Sequence, residues 1–118
     1  MKMNYFVVGT NRMRAATRFY DALFAEEGIE QWISEGRMTL WKTDHFIFAL
    51  AVPFDGKRAS SGNGTMVGFQ VDSANTVERM HATAIRLGAT DEGAPGIRSG
   101  GTAAYVRDLD GNKLCFFD

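Results

Sequence analysis

Cys115 is the side chain of this 118-residue chain best suited to covalent or redox chemistry, because a thiolate is a strong nucleophile. Lys113 lies two residues away on the same face of a strand-like segment, and a nearby cation favours the thiolate. The neighbouring Phe116 and Phe117 favour a simpler interpretation, a small buried core residue, and we adopt this hypothesis. As the only cysteine, Cys115 forms no internal disulfide, which fits a reducing, cytoplasmic compartment.

The histidines and carboxylates have simple structural interpretations. His45 follows Asp44 at a strand entrance, where adjacent residues point to opposite faces, so we expect a solvent-exposed turn histidine. Glu78 and His81 have the Glu-x-x-His spacing of di-iron bundles, but the chain lacks the second copy and further glutamates that such a site needs. We therefore expect an exposed polar helix face there. The segment 108–111 lacks the spacing of a calcium loop and is predicted to be a turn.

A glycine-rich segment at 96–101 surrounds Arg98 and Ser99. Its backbone amides and guanidinium are suited to a carboxylate or phosphate ligand. An inert flexible loop explains the same composition equally well, and both interpretations stay open.

Composition and charge exclude several classes of protein. Thirteen basic and fourteen acidic residues give a net charge of −1 and a pI near 6.1, so we expect no nucleic-acid partner. The longest apolar run, 46–54, contains Pro53 and is too short to cross a bilayer, which needs about 20 residues. No signal-peptide pattern begins the chain, so we expect neither secretion nor a membrane partner. The length predicts one domain.

The first half of the chain predicts a strand, a helix and three strands. An apolar run at 5–8 predicts the first strand, and Asn11 is the expected N-cap of the helix that follows. Two strands flank a hairpin turn at Glu35-Gly36, a third spans 45–52, and a linker covers 53–64. The helix is predicted from an apolar stripe that recurs every three or four residues: Met13, Ala16, Phe19, Tyr20 and Leu23.

The second half repeats this order. A strand at 66–71 precedes a helix capped by Asp72 or Ser73 and ended by Gly88. A short strand is predicted at 90–92, a loop at 93–101, and two strands at 102–107 and 113–117 joined by a turn. The expected buried stripe of this helix consists of Val77, Met80, Ala84 and Leu87.

The predicted fold is therefore α+β, with two βαβββ modules at about 1–60 and 61–118. Neither module of about 60 residues buries enough apolar surface alone, so we expect a single domain. We expect the two modules to form a curved mixed sheet that makes a cup, with the helices on its convex side.

Four segments of the sequence carry a resemblance to a known family. The most specific of the four is the ending Tyr105-Val106-Arg107-Asp108-Leu109-Asp110-Gly111-Asn112-Lys113-Leu114. The other three occur in the expected order at 19–23, 62–69 and 91–96. Together they resemble the glyoxalase/bleomycin-resistance/dioxygenase superfamily, also called vicinal oxygen chelate proteins. The resemblance implies the paired βαβββ fold and a homodimer.

The same resemblance implies a divalent metal, held by His, Gln or Glu from the first and last strands of each module. Tyr5, Met66 and Cys115 stand at three of these positions, and 46–51 contains no carboxylate for the fourth. Tyr, Met and Cys suit few hard divalent ions. We therefore expect a degenerate metal site and no cofactor.

Strand alternation indicates which side chains line the cup. If Tyr5 and Met66 face inward, alternation places Val7, Gly68 and Gln70 on the same side. On the last strand, Lys113 and Phe117 face the same side as Cys115. The wall is completed by one of two sets of residues, either Met38 and Leu40 or Arg37, Thr39 and Trp41. The predicted ligand-binding residues are Tyr5, Met66, Gln70, Arg98, Lys113 and Cys115.

Two functions are weighed, and a regulatory or structural domain stays open as a third. The first is a small-molecule binding protein that holds an apolar or aromatic molecule in an apolar cup. The alternative is a metal-dependent glyoxalase-like lyase, isomerase or dioxygenase, with unusual ligands or ligands such as His45 supplied by a partner subunit.

Overall fold

The computed structural model describes residues 1–118 and contains two helices and eight strands. The order of strand, helix and three strands occurs twice, which confirms the predicted α+β class and its βαβββ repeat. The first half contains β1 (Tyr5–Gly9), α1 (Met13–Ala25), β2 (Gln31–Glu35), β3 (Met38–Lys42) and β4 (Ile47–Ala51). The second half contains β5 (Val67–Gln70), α2 (Ala74–Arg86), β6 (Thr90–Arg98), β7 (Gly101–Arg107) and β8 (Lys113–Phe117).

Each half of the chain builds its own four-stranded sheet. The strand orders are β1-β4-β3-β2 and β5-β8-β7-β6, and the chain divides into two compact units, Met1–Ser60 and Ser61–Asp118. We refer to these units as module one and module two. In each sheet the first strand runs parallel to the last, while the other neighbours are antiparallel. A cup shared by the two modules stays a prediction.

The core of module one is an aromatic cluster between α1 and its sheet. Tyr20 and Phe24 point from the helix toward Trp41 and Phe48, with ring centroids 4.8 Å apart for Tyr20 and Phe48. All four side chains are buried, and aromatic pairs at such distances add to the gain from removing apolar surface from water. These contacts place α1 on the Trp41 and Phe48 face of the sheet.

The core of module two is aliphatic on the helix side. Val77, Met80 and Ala84 of α2 are buried, as predicted, against a sheet face that contains Leu114 and Phe116. Leu87, expected to complete the stripe, is only partly buried because it is the C-cap residue where the helix ends. Neither helix has the length and hydropathy required to cross a membrane.

The two helices begin differently, and only one start was predicted correctly. Ser73 caps α2, since its Oγ accepts a hydrogen bond from the Thr76 amide at 3.2 Å. The expected Asn11 cap of α1 is wrong: no side chain caps this helix. Asn11 instead holds Ala59, with which it makes two hydrogen bonds.

The hairpin and the third strand of module one differ slightly from prediction. Glu35 pairs with Met38, so the two turn residues are Gly36 and Arg37, one position later than expected. Gly36 has a φ of +60°, a conformation that glycine adopts without steric cost. The strand predicted at 45–52 covers only Ile47–Ala51.

The largest error concerns the segment predicted as a loop at 93–101. β6 continues through it to Arg98 and pairs with β7, with irregular register on both sides of Gly93. A Cβ on Gly93 would lie 2.9 Å from the Tyr105 ring, so glycine permits this close strand approach. The glycines therefore indicate a bulged strand and not a loop.

Candidate functional site

The sheet of module two has one face that α2 does not cover. Cys115 pairs with Tyr105 and Gly68 on neighbouring strands, while Gln70 pairs with Phe117. Because paired residues point to the same side of a sheet, these residues share a face with Lys113. The predicted alternation within module two is therefore confirmed, and we call this surface the Cys115 face.

A cavity of about 210 Å³ lies on the Cys115 face. It is lined by residues of β6, β7 and β8 and their turns, among them Arg98, Tyr105, Cys115 and Phe117. Ser99, Thr102 and Asp118 also line it, so aromatic rings and polar groups both face the cavity. Small-molecule sites combine an apolar wall with such polar groups. Two of the predicted ligand-binding residues, Arg98 and Cys115, thus lie in one cavity.

Two cations of the Cys115 face, Arg98 and Lys113, lie close to the ring of Tyr105. The Arg98 guanidinium carbon lies 5.2 Å from the centroid of its ring, and the Lys113 Nζ lies 5.3 Å from it. Both distances fall within the range of cation–π attraction, which is about 6 Å. Tyr105 therefore attracts both cations, of which Arg98 lines the cavity.

The Arg98 side chain also holds the β6–β7 hairpin together. Its Nη1 donates to the carbonyl oxygens of Ala103, at 3.0 Å, and Ala94, at 3.3 Å. A guanidinium has five N–H donors, and the structure gives those on Nε and Nη2 no hydrogen bond. Arg98 is thus anchored through one nitrogen and keeps donors for a ligand.

Burial raises the pKa of the Cys115 thiol above its usual value. A hydrogen bond from Tyr105 and the positive charges of Lys113 and Arg98 act in the opposite direction but do not outweigh desolvation. Cys115 is only 5% exposed, so the thiol is neutral at pH 7 and poorly accessible. This agrees with the interpretation of Cys115 as a small buried residue and not an activated nucleophile.

The remaining predicted ligand-binding residues lie outside the cavity, although Lys113 and Gln70 share the Cys115 face. Met66, just before β5, and Gln70 on β5 are exposed and do not line the cavity. Tyr5 belongs to module one, where it pairs with Ile47 and is 53% exposed. The register of that sheet puts Tyr5 on the same face as Leu40 and opposite the buried Trp41. Of the two wall sets left open, Met38 and Leu40 therefore share the face of Tyr5.

The other chemically capable side chains serve local structure. His81 was expected on an exposed helix face, but its side chain is 13% exposed and its Nε2 lies 2.9 Å from Asp91 Oδ1. Asp108 is buried and accepts hydrogen bonds from the Asp110 and Asn112 amides, which confirms the predicted turn. His45 is exposed at a turn, as expected.

The structure contains no group of three or more His, Cys, Asp or Glu side chains placed to hold a metal ion. Within module two, the two positions that the resemblance implies as metal ligands carry the thioether of Met66 and the protonated thiol of Cys115. These donors suit neither Zn²⁺, which binds imidazole, thiolate or carboxylate, nor Mg²⁺, which binds oxygen ligands. The residues present therefore do not fit the divalent metal that the family resemblance implies.

Tyr105 is the site residue that sequence reasoning missed. The signal was present: β7 and β8 flank a five-residue turn at 108–112, and pairing Arg107 with Lys113 puts Tyr105 opposite Cys115. Ser99, which also lines the cavity, lies in the tight turn between β6 and β7 with a φ of +51°. The position of Ser99 in this turn could not be predicted, because the second part of β6 was interpreted as a loop.

Comparison with known proteins connects this fold to solved structures. No protein-family model and no curated protein sequence matches the chain. A glyoxalase/bleomycin resistance protein from Albidiferax ferrireducens T118 is 33% identical, with a TM-score of 0.92 over 98% of this chain and 96% of that one. Two more distant structures, each 20% identical, show the same fold. A glyoxalase/bleomycin resistance protein/dioxygenase family enzyme from Burkholderia phytofirmans PsJN has a TM-score of 0.81 over 99% of this chain and 98% of its own. A lactoylglutathione lyase from Agrobacterium tumefaciens has a TM-score of 0.73 over 98% of this chain and 91% of its own.

The repeated βαβββ module and the sheet face with its small cavity define the general class, a glyoxalase-type fold. At 33% identity over nearly its whole length, the chain belongs to the glyoxalase/bleomycin resistance protein family.

Proposed function

We propose that the protein is a small-molecule binding protein that holds an apolar or aromatic molecule against the Cys115 face. The observation that carries this proposal is the cavity of about 210 Å³ lined by the aromatic rings of Tyr105 and Phe117, with the Arg98 guanidinium beside them. The volume lies just below the usual range for ligand pockets, about 300–1,000 Å³. A single aromatic ring, or one end of a larger molecule, is the expected occupant.

Binding without metal chemistry is the second part of the proposal. The positions implied as metal ligands are Tyr5, Met66 and Cys115, and no cluster of metal-binding side chains replaces them. The raised pKa of Cys115 also disfavours its thiolate, which is the form that binds metals. These features support a degenerate metal site and no cofactor.

A homodimer in the cytoplasm completes the proposal. The dimer is implied by the family, and the absence of a disulfide partner for Cys115 favours a reducing compartment. Size-exclusion chromatography with light scattering tests the dimer, which is expected to have twice the 13.0 kDa mass of one chain.

Ligand-observed NMR with a library of small aromatic compounds tests the binding site. We expect compounds that bind saturably to the wild type and that bind at least about tenfold more weakly to Ala103→Leu, which fills the cavity. Ala82→Leu adds the same side chain on the exposed surface of α2 and is expected to bind like the wild type. Equal binding to all three proteins would place the ligand elsewhere and contradict the proposal.

Elemental analysis of untagged protein purified without chelator tests the absence of a metal. We expect well under one equivalent of Ni, Zn, Mn or Fe per chain and no thermal stabilisation by added divalent ions. One equivalent of bound metal would instead favour the alternative, a metal-dependent lyase, isomerase or dioxygenase with ligands such as His45 from a partner subunit.

A further inference from the structure

The beginning of α1 carries an unusual concentration of positive charge. Arg12, Arg14 and Arg18 line one open cavity of about 430 Å³ in module one. All three side chains are exposed, and the structure gives none of them a hydrogen bond or an ion pair. Three unpaired guanidiniums around one cavity contrast with a chain whose net charge is −1.

The Asn11–Ala59 contact adds two more cations to this region. Asn11 accepts a hydrogen bond from the Ala59 amide at 2.7 Å and donates one to the Ala59 carbonyl at 3.0 Å. The contact holds the linker against the start of α1, and the exposed Lys57 and Arg58 directly precede Ala59 in that linker. We call the surface formed by Arg12, Arg14, Arg18, Lys57 and Arg58 the arginine surface.

This charge arrangement opposes the stability of α1. The first turn of the helix contains no acidic residue, although a carboxylate is favourable at this positive end of the helix dipole. Arg14 and Arg18 are four residues apart on one helix face, where like charges repel. A local arrangement that costs stability without internal compensation is expected at functional sites.

We propose that the arginine surface binds the phosphate groups of a small phosphorylated molecule. A guanidinium presents paired donors that match two phosphate oxygens, and the anion would relieve the repulsion among the arginines. An overall acidic chain disfavours a polynucleotide as the partner. This inference is independent of the proposed function, because it concerns module one only.

Calorimetric titration with inorganic pyrophosphate at low salt tests the proposal on the full chain. We expect saturable binding to the wild type that falls at least about tenfold in the Arg14→Ala/Arg18→Ala variant, since hydrogen bonds to charged groups are lost. Arg79→Ala/Arg86→Ala removes two exposed cations from α2 and is the matched control, expected to bind like the wild type.

Three results would overturn the proposal. The first is the absence of saturable binding by the wild type up to about 10 mM pyrophosphate. The second is an equal loss in both double variants, which would indicate only a general charge effect. The third is tighter, arginine-dependent binding of a single-stranded oligonucleotide, which would identify a nucleic-acid surface instead. Because Arg14 and Arg18 are exposed, the variant is expected to fold, and relief of their repulsion should raise its melting temperature.

Discussion

The Trp41 indole and the Asp21 carboxylate join the sheet of module one to its helix. Trp41 Nε1 donates to Asp21 Oδ1 at 3.0 Å, and the Trp41 side chain is fully buried. The largest side chain of the core therefore keeps its one polar group hydrogen-bonded at the edge of the aromatic cluster. Asp21 lies within 19–23, one of the four segments that resemble the family. Its role in the structure is to accept the hydrogen bond of the buried Trp41 indole.

Replacing Asp21 with alanine is expected to destabilise the protein by about 1–3 kcal/mol, because a buried indole N–H loses its acceptor. The free energy of unfolding in urea measures the effect. Asp44→Ala removes an exposed carboxylate and is expected to change stability by less than about 0.5 kcal/mol. Equal stability of Asp21→Ala and the wild type would show that water replaces the carboxylate.

Asn11→Ala is expected to release the linker while leaving the helix content of α1 unchanged, because Asn11 binds Ala59 and does not cap the helix. Limited proteolysis should cut the variant faster than the wild type near Ala59, and circular dichroism should show the same helix signal. Loss of helix signal without faster cleavage would support the original capping interpretation.

Acid stability is expected to depend on the contact between Asp91 and His81. The hydrogen bond from His81, and then the Gly93 amide, lower the pKa of Asp91 below its usual value. A carboxyl whose pKa is lower in the folded state stabilises the protein above its unfolded pKa, and this contribution is lost as pH falls through the folded pKa. Melting temperatures from pH 5 down to pH 2 should therefore fall less steeply for Asp91→Asn than for the wild type. Asp44→Asn, an exposed control, should follow the wild-type curve.

Cys115 is expected to react slowly with iodoacetamide near neutral pH, because its pKa is raised by burial and its side chain is 5% exposed. Mass spectrometry should show alkylation at least about tenfold slower than in the urea-unfolded chain, where the thiol has an ordinary pKa. A compound bound in the cavity should slow the reaction further. A native rate equal to or above the unfolded rate would identify an activated cysteine.

The sequence predicted those parts of the fold that follow from local periodicity. The stripe from Ala16 to Leu23 and the alternation around Cys115 were sufficient to place α1 and the Cys115 face. β6 was predicted only over 90–92, because the glycines and Pro95 in its remaining part have low strand propensity. Asn11 was misassigned for a different reason, since its partner Ala59 is distant in sequence.

The site was predicted in part. The residues of module two that share one strand face were identified, since period-two alternation alone determines them. The cavity depends on Tyr105, whose place opposite Cys115 follows from the pairing of two predicted strands, and on the turn at Ser99. The Ser99 turn could not be predicted, because the second part of β6 was interpreted as a loop. Met66 and Gln70 lie outside the cavity although they were expected to bind ligand.

The parallel pairing of the first and last strands in each module has a consequence for the order of folding. β2, β3 and β4 are sequential neighbours, so they can pair while the chain is being synthesised. β1 must wait for β4, about forty residues later, and β5 must likewise wait for β8. Until then the apolar edges of β1 and β5 have no hydrogen-bonding neighbour. The nascent chain is therefore most prone to aggregation just before each module receives its final strand.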